Sequence, residues 1–143
     1  MNMLHIKSWL SEQSPFQKFL SSVLAHHLSR TFNRREFEVV LDSYIDFHNM
    51  ESDVADIVVY NVKKNFSTDM IIEFCHADDF KATINSLEII SEIYKIRETF
   101  IYNNTTSEWH LIADGIRMKT SVSRVFKIDL NEILLQAKSR YAA

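Results

Sequence analysis

Two stretches decide the fold: Val54-Ala55-Asp56-Ile57-Val58-Val59-Tyr60-Asn61-Val62, and Asp69-Met70-Ile71-Ile72-Glu73-Phe74-Cys75. A continuous β-branched run such as Ile57-Val58-Val59 suits a strand covered on both faces. Lys63 to Thr68 reads as the turn between the two strands. Each strand carries one carboxylate inside its apolar run, Asp56 in the first and Glu73 seventeen residues later in the second. A buried carboxylate must be paired, hydrogen-bonded, metal-bound or turned to solvent, because burying it unpaired costs several kcal/mol. Two strands joined by a tight turn bring such residues side by side at one end of a sheet.

Upstream, Ser14-Pro15-Phe16-Gln17 combines a capping hydroxyl, a proline for the first helical position and a glutamine three residues after the cap. Phe16, Leu20, Val23, Leu24 and Leu28 follow at helical spacing, which predicts a helix to about Arg30. After the polar break Thr31–Arg35, the segments Phe37–Asp42 and Tyr44–His48 read as two short strands turning at Asp42-Ser43. Downstream, Asp78 or Asp79 is the expected cap of a helix reaching about Tyr94. That helix should bury Phe80, Ile84, Leu87 and some of Ile89, Ile90 and Ile93. Arg97–Asn103 and Ser107–Ala113 form an expected hairpin about Asn103-Asn104-Thr105-Thr106. Arg124–Ile128 reads as a short strand. Asp129 caps a last helix carrying Leu130, Ile133, Leu134 and Ala137 on one face. The order is that of an α/β domain, a mixed sheet flanked by helices.

Composition narrows the functional classes. The 143 residues suit one domain, 1–143, with 1–13 as an N-terminal extension. Ten Phe, five Tyr and two Trp within a 46% apolar chain fill a core without disulfides. The formal net charge of −3 gives no global basic field, so contact with DNA would need a local patch. Cys75 is the only cysteine, which excludes an intramolecular disulfide and fits a reducing compartment. The first ten residues lack the apolar core of a signal peptide, and no window approaches a membrane span. The expected location is cytoplasmic. With Gly115 as the only glycine, phosphate-binding glycine loops and nucleophile elbows are excluded.

The chemistry therefore centres on Asp56 and Glu73. Hard divalent cations such as Mg²⁺ or Mn²⁺ take one or two carboxylates plus water and substrate phosphate, the arrangement that activates water for phosphodiester cleavage. The competing reading is a pair of strand acids that face water. Other residues point to structure first. Cys75 and His76 are neighbours, so in a strand they face opposite ways and form no nucleophilic pair. His26-His27 sit in an amphipathic helix without a second pair at zinc spacing. Arg34-Arg35 and Lys63-Lys64 could meet phosphates, but short basic pairs in turns are usually solvated. Phe100, Tyr102 and Trp109 suit sheet packing or a dimer face before base stacking.

From about Phe16 to Leu134 the chain resembles the Uma-two family, nucleases of the restriction endonuclease-like fold with a PD-(D/E)xK signature. Ala55-Asp56-Ile57-Val58-Val59 is similar to the family's Pro-Asp-Val-Val-Val strand. Asp69-Met70-Ile71-Ile72-Glu73-Phe74 is similar to its Asp-Leu-Val-Val-Glu-Val strand. Ile96-Arg97-Glu98-Thr99-Phe100-Ile101-Tyr102-Asn103 resembles the strand that follows, and Ser123–Leu134 the closing strand and helix. The resemblance implies that Asp56 and Glu73 bind the metal, with Asp42 as a third acid and the backbone carbonyl of Phe74 completing the site. The departures concern the catalytic lysine. Cys75 takes its signature place two after the glutamate. Leu87 stands where the family supplies a lysine from the next helix, Ser91 replaces a tyrosine one turn later, Ala55 replaces the proline, and His76-Ala77 replaces Ser-Pro. Lys81 is the nearest basic residue, about 120° away from the Leu87 face at ~100° per residue. Two functions follow: a Mg²⁺- or Mn²⁺-dependent DNA endonuclease using Asp56, Glu73 and Lys81, or a catalytically inactive module for binding or oligomerisation. A homodimer is the base expectation for either.

Overall fold

The two decisive stretches form the inner strands of a six-stranded mixed sheet in the computed structural model, which describes residues 15–142. They are β2 (Val54–Asn61) and β3 (Ser67–Cys75), buried along nearly their whole length as expected and paired antiparallel across the short turn that joins them. Their register slips by one residue between Val59 and Tyr60, opposite Asp69. The turn between them is tighter than a plain loop. Asn61 Oδ1 accepts from Lys64 N at 3.2 Å around a 3₁₀ turn, Val62–Lys64, and Asn65 and Phe66 then take left-handed backbone angles, φ 55° and 59°.

The sheet continues on both sides. β1 (Phe37–Tyr44) pairs antiparallel with β2. β4 (Glu98–Asn103) lies parallel to β3, so the chain crosses over through α2 (Ala77–Ile93) between them. β5 (Glu108–Ala113) returns antiparallel as the hairpin anticipated from Asn103–Thr106. A sixth strand, β6 (Ile116–Met118), was not anticipated, and follows an Asp114-Gly115 turn at φ 52° and 73°. Arg117 ties β6 to α2 through Glu88 (2.5 Å) and Asn85 (2.8 Å).

Helices cover both faces. On one, α1 (Pro15–Thr31) and α3 (Leu130–Ala142) place Leu20, Leu24, Leu28, Leu130 and Leu134 against Ile57, Val59, Met70, Ile72, Phe74 and Phe100. On the other, α2 places Ile84, Leu87 and Ile90 against Val58, Ile71, Cys75 and Ile101. Of Ile89, Ile90 and Ile93, some of which the pattern buries, Ile90 is buried, and Ile89 and Ile93 lie exposed on the outer side of α2. Trp109 and Tyr102 pack within the core, ring centroids 4.9 Å apart, so they are sheet residues and not a surface for stacked bases.

Several boundaries differ from expectation for identifiable reasons. Tyr44–His48 is not a second strand. β1 runs straight through Ser43 and ends at Tyr44, and the chain then turns because Asp46 Oδ1 accepts from His48 N (3.0 Å) and Asn49 Oδ1 from Glu51 N (2.9 Å). Asp78 and Asp79 do not cap α2. They sit in its first turn, where carboxylates complement the positive helix end, and Ala77 N finds Thr105 Oγ1 at 3.0 Å. Arg124–Ile128 is not a strand: Arg124–Lys127 form the turn, with Lys127 at φ 56°, between two two-residue strands, β7 (Val122–Ser123) and β8 (Ile128–Asp129). Asp129 caps α3 as expected, its Oδ1 accepting from Asn131 N at 2.9 Å. The Ser14 cap and the 1–13 extension lie outside the described residues.

Glu98, at the start of β4, is 1% exposed and holds the β7 segment. Its two oxygens accept from Ser123 Oγ (2.5 Å) and Arg124 N (2.9 Å). Removing a charged acceptor strands two donors in a dry site, at about 3 kcal/mol. Glu98→Ala should lower the urea midpoint by an amount matching that loss, with an unchanged slope. A midpoint within error of wild type would refute the anchor.

Candidate functional site

Asp56 and Glu73 meet where β2 and β3 part. Their backbone ladder ends at Ile57 opposite Ile72, while β2 goes on pairing with β1 to Val54 and β3 with β4 to Cys75. One step beyond the last rung stand Asp56 and Glu73, facing each other across the opening fork. Side chains take over the bonding there. Asp56 Oδ2 accepts from Phe74 N at 2.7 Å, and Glu73 Oε1 accepts from Asp56 N at 3.2 Å. Each acid thus grips the backbone of the opposite strand. Both residues are buried, at 6% and 2% exposure, and each carboxylate is held by a backbone N–H of the opposite strand.

Strand alternation sets the surroundings. Phe74 sends its ring into the α1–α3 side, where it meets Tyr102 edge-on at 5.8 Å. Ile71 and Cys75 point to the α2 side, and Glu73, between them in the strand, shares that side. Cys75 is buried in the α2-side core. Leu87, in the place of the family's helix lysine, is buried in the same core.

Asp42 lies in β1 opposite Asp56, between the pairs Leu41–Ile57 and Ser43–Ala55. Its backbone is left-handed, φ 46°, a conformation that Asp tolerates better than most residues. Desolvation raises the Asp42 pKa above the ordinary value, the negative Asp56 raises it further, and Lys18 of α1 partly opposes both. Lys18 is a cation near the acids that the sequence reading did not single out, because only packing of α1 on β1 reveals it. Among the described residues no group of three or more His, Cys, Asp or Glu is arranged to hold a metal ion, so Asp42 stands beside the pair and does not close a three-acid cage. Lys81 lies exposed on α2 and makes no hydrogen bond or ion pair among the described residues. His26 and His27 are exposed on α1. As a donor set, two carboxylates on facing strands and the neighbouring Phe74 backbone offer hard oxygen ligands, which suit Mg²⁺ or Mn²⁺ and not a soft metal.

No protein-family model matches the sequence, and no curated protein matches it. The likeness to the Uma-two family therefore rests on the ordered residues quoted above. No helix among the described residues is long and apolar enough to cross a membrane.

The raised Asp42 pKa has a signed consequence. The folded state holds the proton more tightly than the unfolded chain, so ionisation favours unfolding as pH rises from the ordinary carboxylate value through the raised one. Below that window both states are protonated and the penalty is absent. Asp42→Asn should be more stable than wild type at pH 7, with the difference shrinking to nothing as pH falls below about 3.5. Asp42 is exposed at the sheet edge, so solvent keeps the effect small. Thermal melts across pH 3–7 measure it; a constant difference across that range would contradict the assignment.

Proposed function

We propose that this chain is a divalent-cation-dependent DNA endonuclease, with Asp56 and Glu73 holding Mg²⁺ or Mn²⁺ at the fork between β2 and β3. One observation carries the reading: two buried acids from adjacent strands are drawn together where the ladder ends, each oriented by the other strand's backbone N–H. When bound, the cation supplies a Lewis acid and lowers the pKa of attacking water. The residues do the rest. Asp56 and Glu73 are fixed by the fork, the Phe74 carbonyl is the third proposed ligand, and Asp42 adds negative charge beside them. Lys81 is the proposed water-orienting residue by sequence position, and from an exposed place on α2 it would have to reach inward on substrate binding. DNA is the substrate class, and a reducing cytoplasmic setting and a symmetric dimer accompany the reading.

A second reading is favoured by a separate observation. Cys75, where the fold's signature has lysine, and Leu87, where the resembled family supplies one from the following helix, are buried among apolar side chains. A fold with these changes and a net charge of −3 also suits a catalytically inactive module used for binding or oligomerisation.

Metal binding separates the outcomes. Asp56→Asn keeps an oxygen acceptor for Phe74 N while removing the charge. Saturating wild type with Mn²⁺ at 100 times Kd should add about 2.7 kcal/mol to stability, seen as a rise in Tm of several degrees. Asp56→Asn should abolish the rise. Plasmid nicking that needs Mn²⁺ and Asp56 supports the nuclease; a metal-induced rise without nicking supports the inactive module. No rise at all removes the cation site.

A further inference from the structure

Thr83 lies on the inward side of α2 at 2% exposure, and its Oγ1 has no hydrogen-bond partner among the described residues. That is unusual for a helical hydroxyl, which ordinarily bonds a carbonyl three or four residues back. Other hydroxyls in these helices do so: Ser91 Oγ to Leu87 O (2.5 Å), Thr31 Oγ1 to His27 O (2.8 Å) and Ser21 Oγ to Lys18 O (3.1 Å). Ser91, two turns beyond Thr83, also meets Thr99 Oγ1 at 2.6 Å. A buried hydroxyl left unsatisfied costs about 1–3 kcal/mol. Such a group in a packed interior calls for an explanation, of which a bound water or ion is one.

Its position indicates which. α2 starts at Ala77, just after β3 ends at Cys75, and runs back over the sheet. Six helical residues advance about 9 Å, and about three strand residues cover the same length, which sets Thr83 near the level of Ile72 and Glu73. The side is right as well. Ile84 and Leu87, on the same helix surface as Thr83, pack with Ile71 and Cys75, the two residues that flank the Glu73 side. The orphan hydroxyl is therefore set in the helix layer over the side of the sheet that carries Glu73.

We propose that Thr83 Oγ1 accepts a hydrogen bond from a water held at the Asp56–Glu73 pair and so orients that water; this rests on the pair being a cation site. Thr83 is a positioning residue. It gains and loses no proton, and being neutral it orients water without stabilising developing negative charge as lysine would. Turnover limited by that missing charge is slow.

The test compares wild type, Thr83→Val, Thr83→Ser and Asp56→Asn, each melted without metal and then titrated with MnCl₂ by calorimetry. Valine has nearly the shape of threonine and lacks the hydroxyl. Without metal, Thr83→Val should melt a few degrees above wild type, because the unsatisfied group is gone. Its Kd for Mn²⁺ should be about tenfold weaker, the usual loss when a group supporting metal-bound ligands is removed. Thr83→Ser should restore the wild-type Kd, and Asp56→Asn should bind no Mn²⁺. A metal-free Thr83→Val that melts below wild type, or one that binds Mn²⁺ with unchanged Kd, overturns the role of Thr83 alone. Absence of Mn²⁺ binding by wild type removes the cation site, and the role of Thr83 with it.

Discussion

Where β2 and β3 separate, two carboxylates substitute for backbone rungs, and the geometry of the candidate site follows from that exchange. A sheet that splits leaves N–H groups without strand partners, and buried N–H groups must be satisfied. Here Phe74 N and Asp56 N are satisfied by acids on the opposite strand. The same bonds that close the fork hold the acids in place. The fork in turn depends on β1 and β4, which keep pairing with β2 and β3 past the point of separation. Without those outer partners the two strands would fray together and the acids would not face each other.

The helical layers give the acids an asymmetric environment. The α1–α3 side receives Phe74 and a broad aromatic and leucine core, while the α2 side receives Glu73, with the buried hydroxyls of Thr83 and Ser91 on the covering helix. Charge that would assist catalysis is scarce on that inner surface. Leu87 is fully packed, and Lys81 is turned to solvent. Lys18 approaches from α1 beside Asp42, and it balances an edge acid there. Among the described residues the inner surface thus presents carboxylates without a nearby side-chain cation on the α2 side.

Much of the sheet was legible because burial on both faces writes itself into composition. Val54–Val62 and Asp69–Cys75 leave few alternatives to inner strands, and the Asp129 cap and the Asn103–Thr106 hairpin use side chains whose bonding is local. Elements fixed by less local contacts were missed. β6 has three residues and relies on α2 through Arg117, although the Asp114-Gly115 pair is a hairpin signal that was available. Tyr44–His48 has the apolar residues of a strand, but Asp46 and Asn49 bend the chain by bonding their own neighbours. At the site, the pairing of Asp56 with Glu73 could be anticipated from the turn between their strands. Neither the fork nor the orphan Thr83 hydroxyl could, since one depends on where four strands stop pairing and the other on the absence of a bond that helical threonines usually make.

The double duty of the two acids has a consequence for how such a chain can change over generations. A lineage that stopped cutting DNA would be free to discard residues needed only for turnover, and a lysine would be among the first to drift. It would not be free to discard Asp56 or Glu73, because each ties down an amide of the neighbouring strand. Retention of the acidic couple would therefore report on architecture as much as on enzymology.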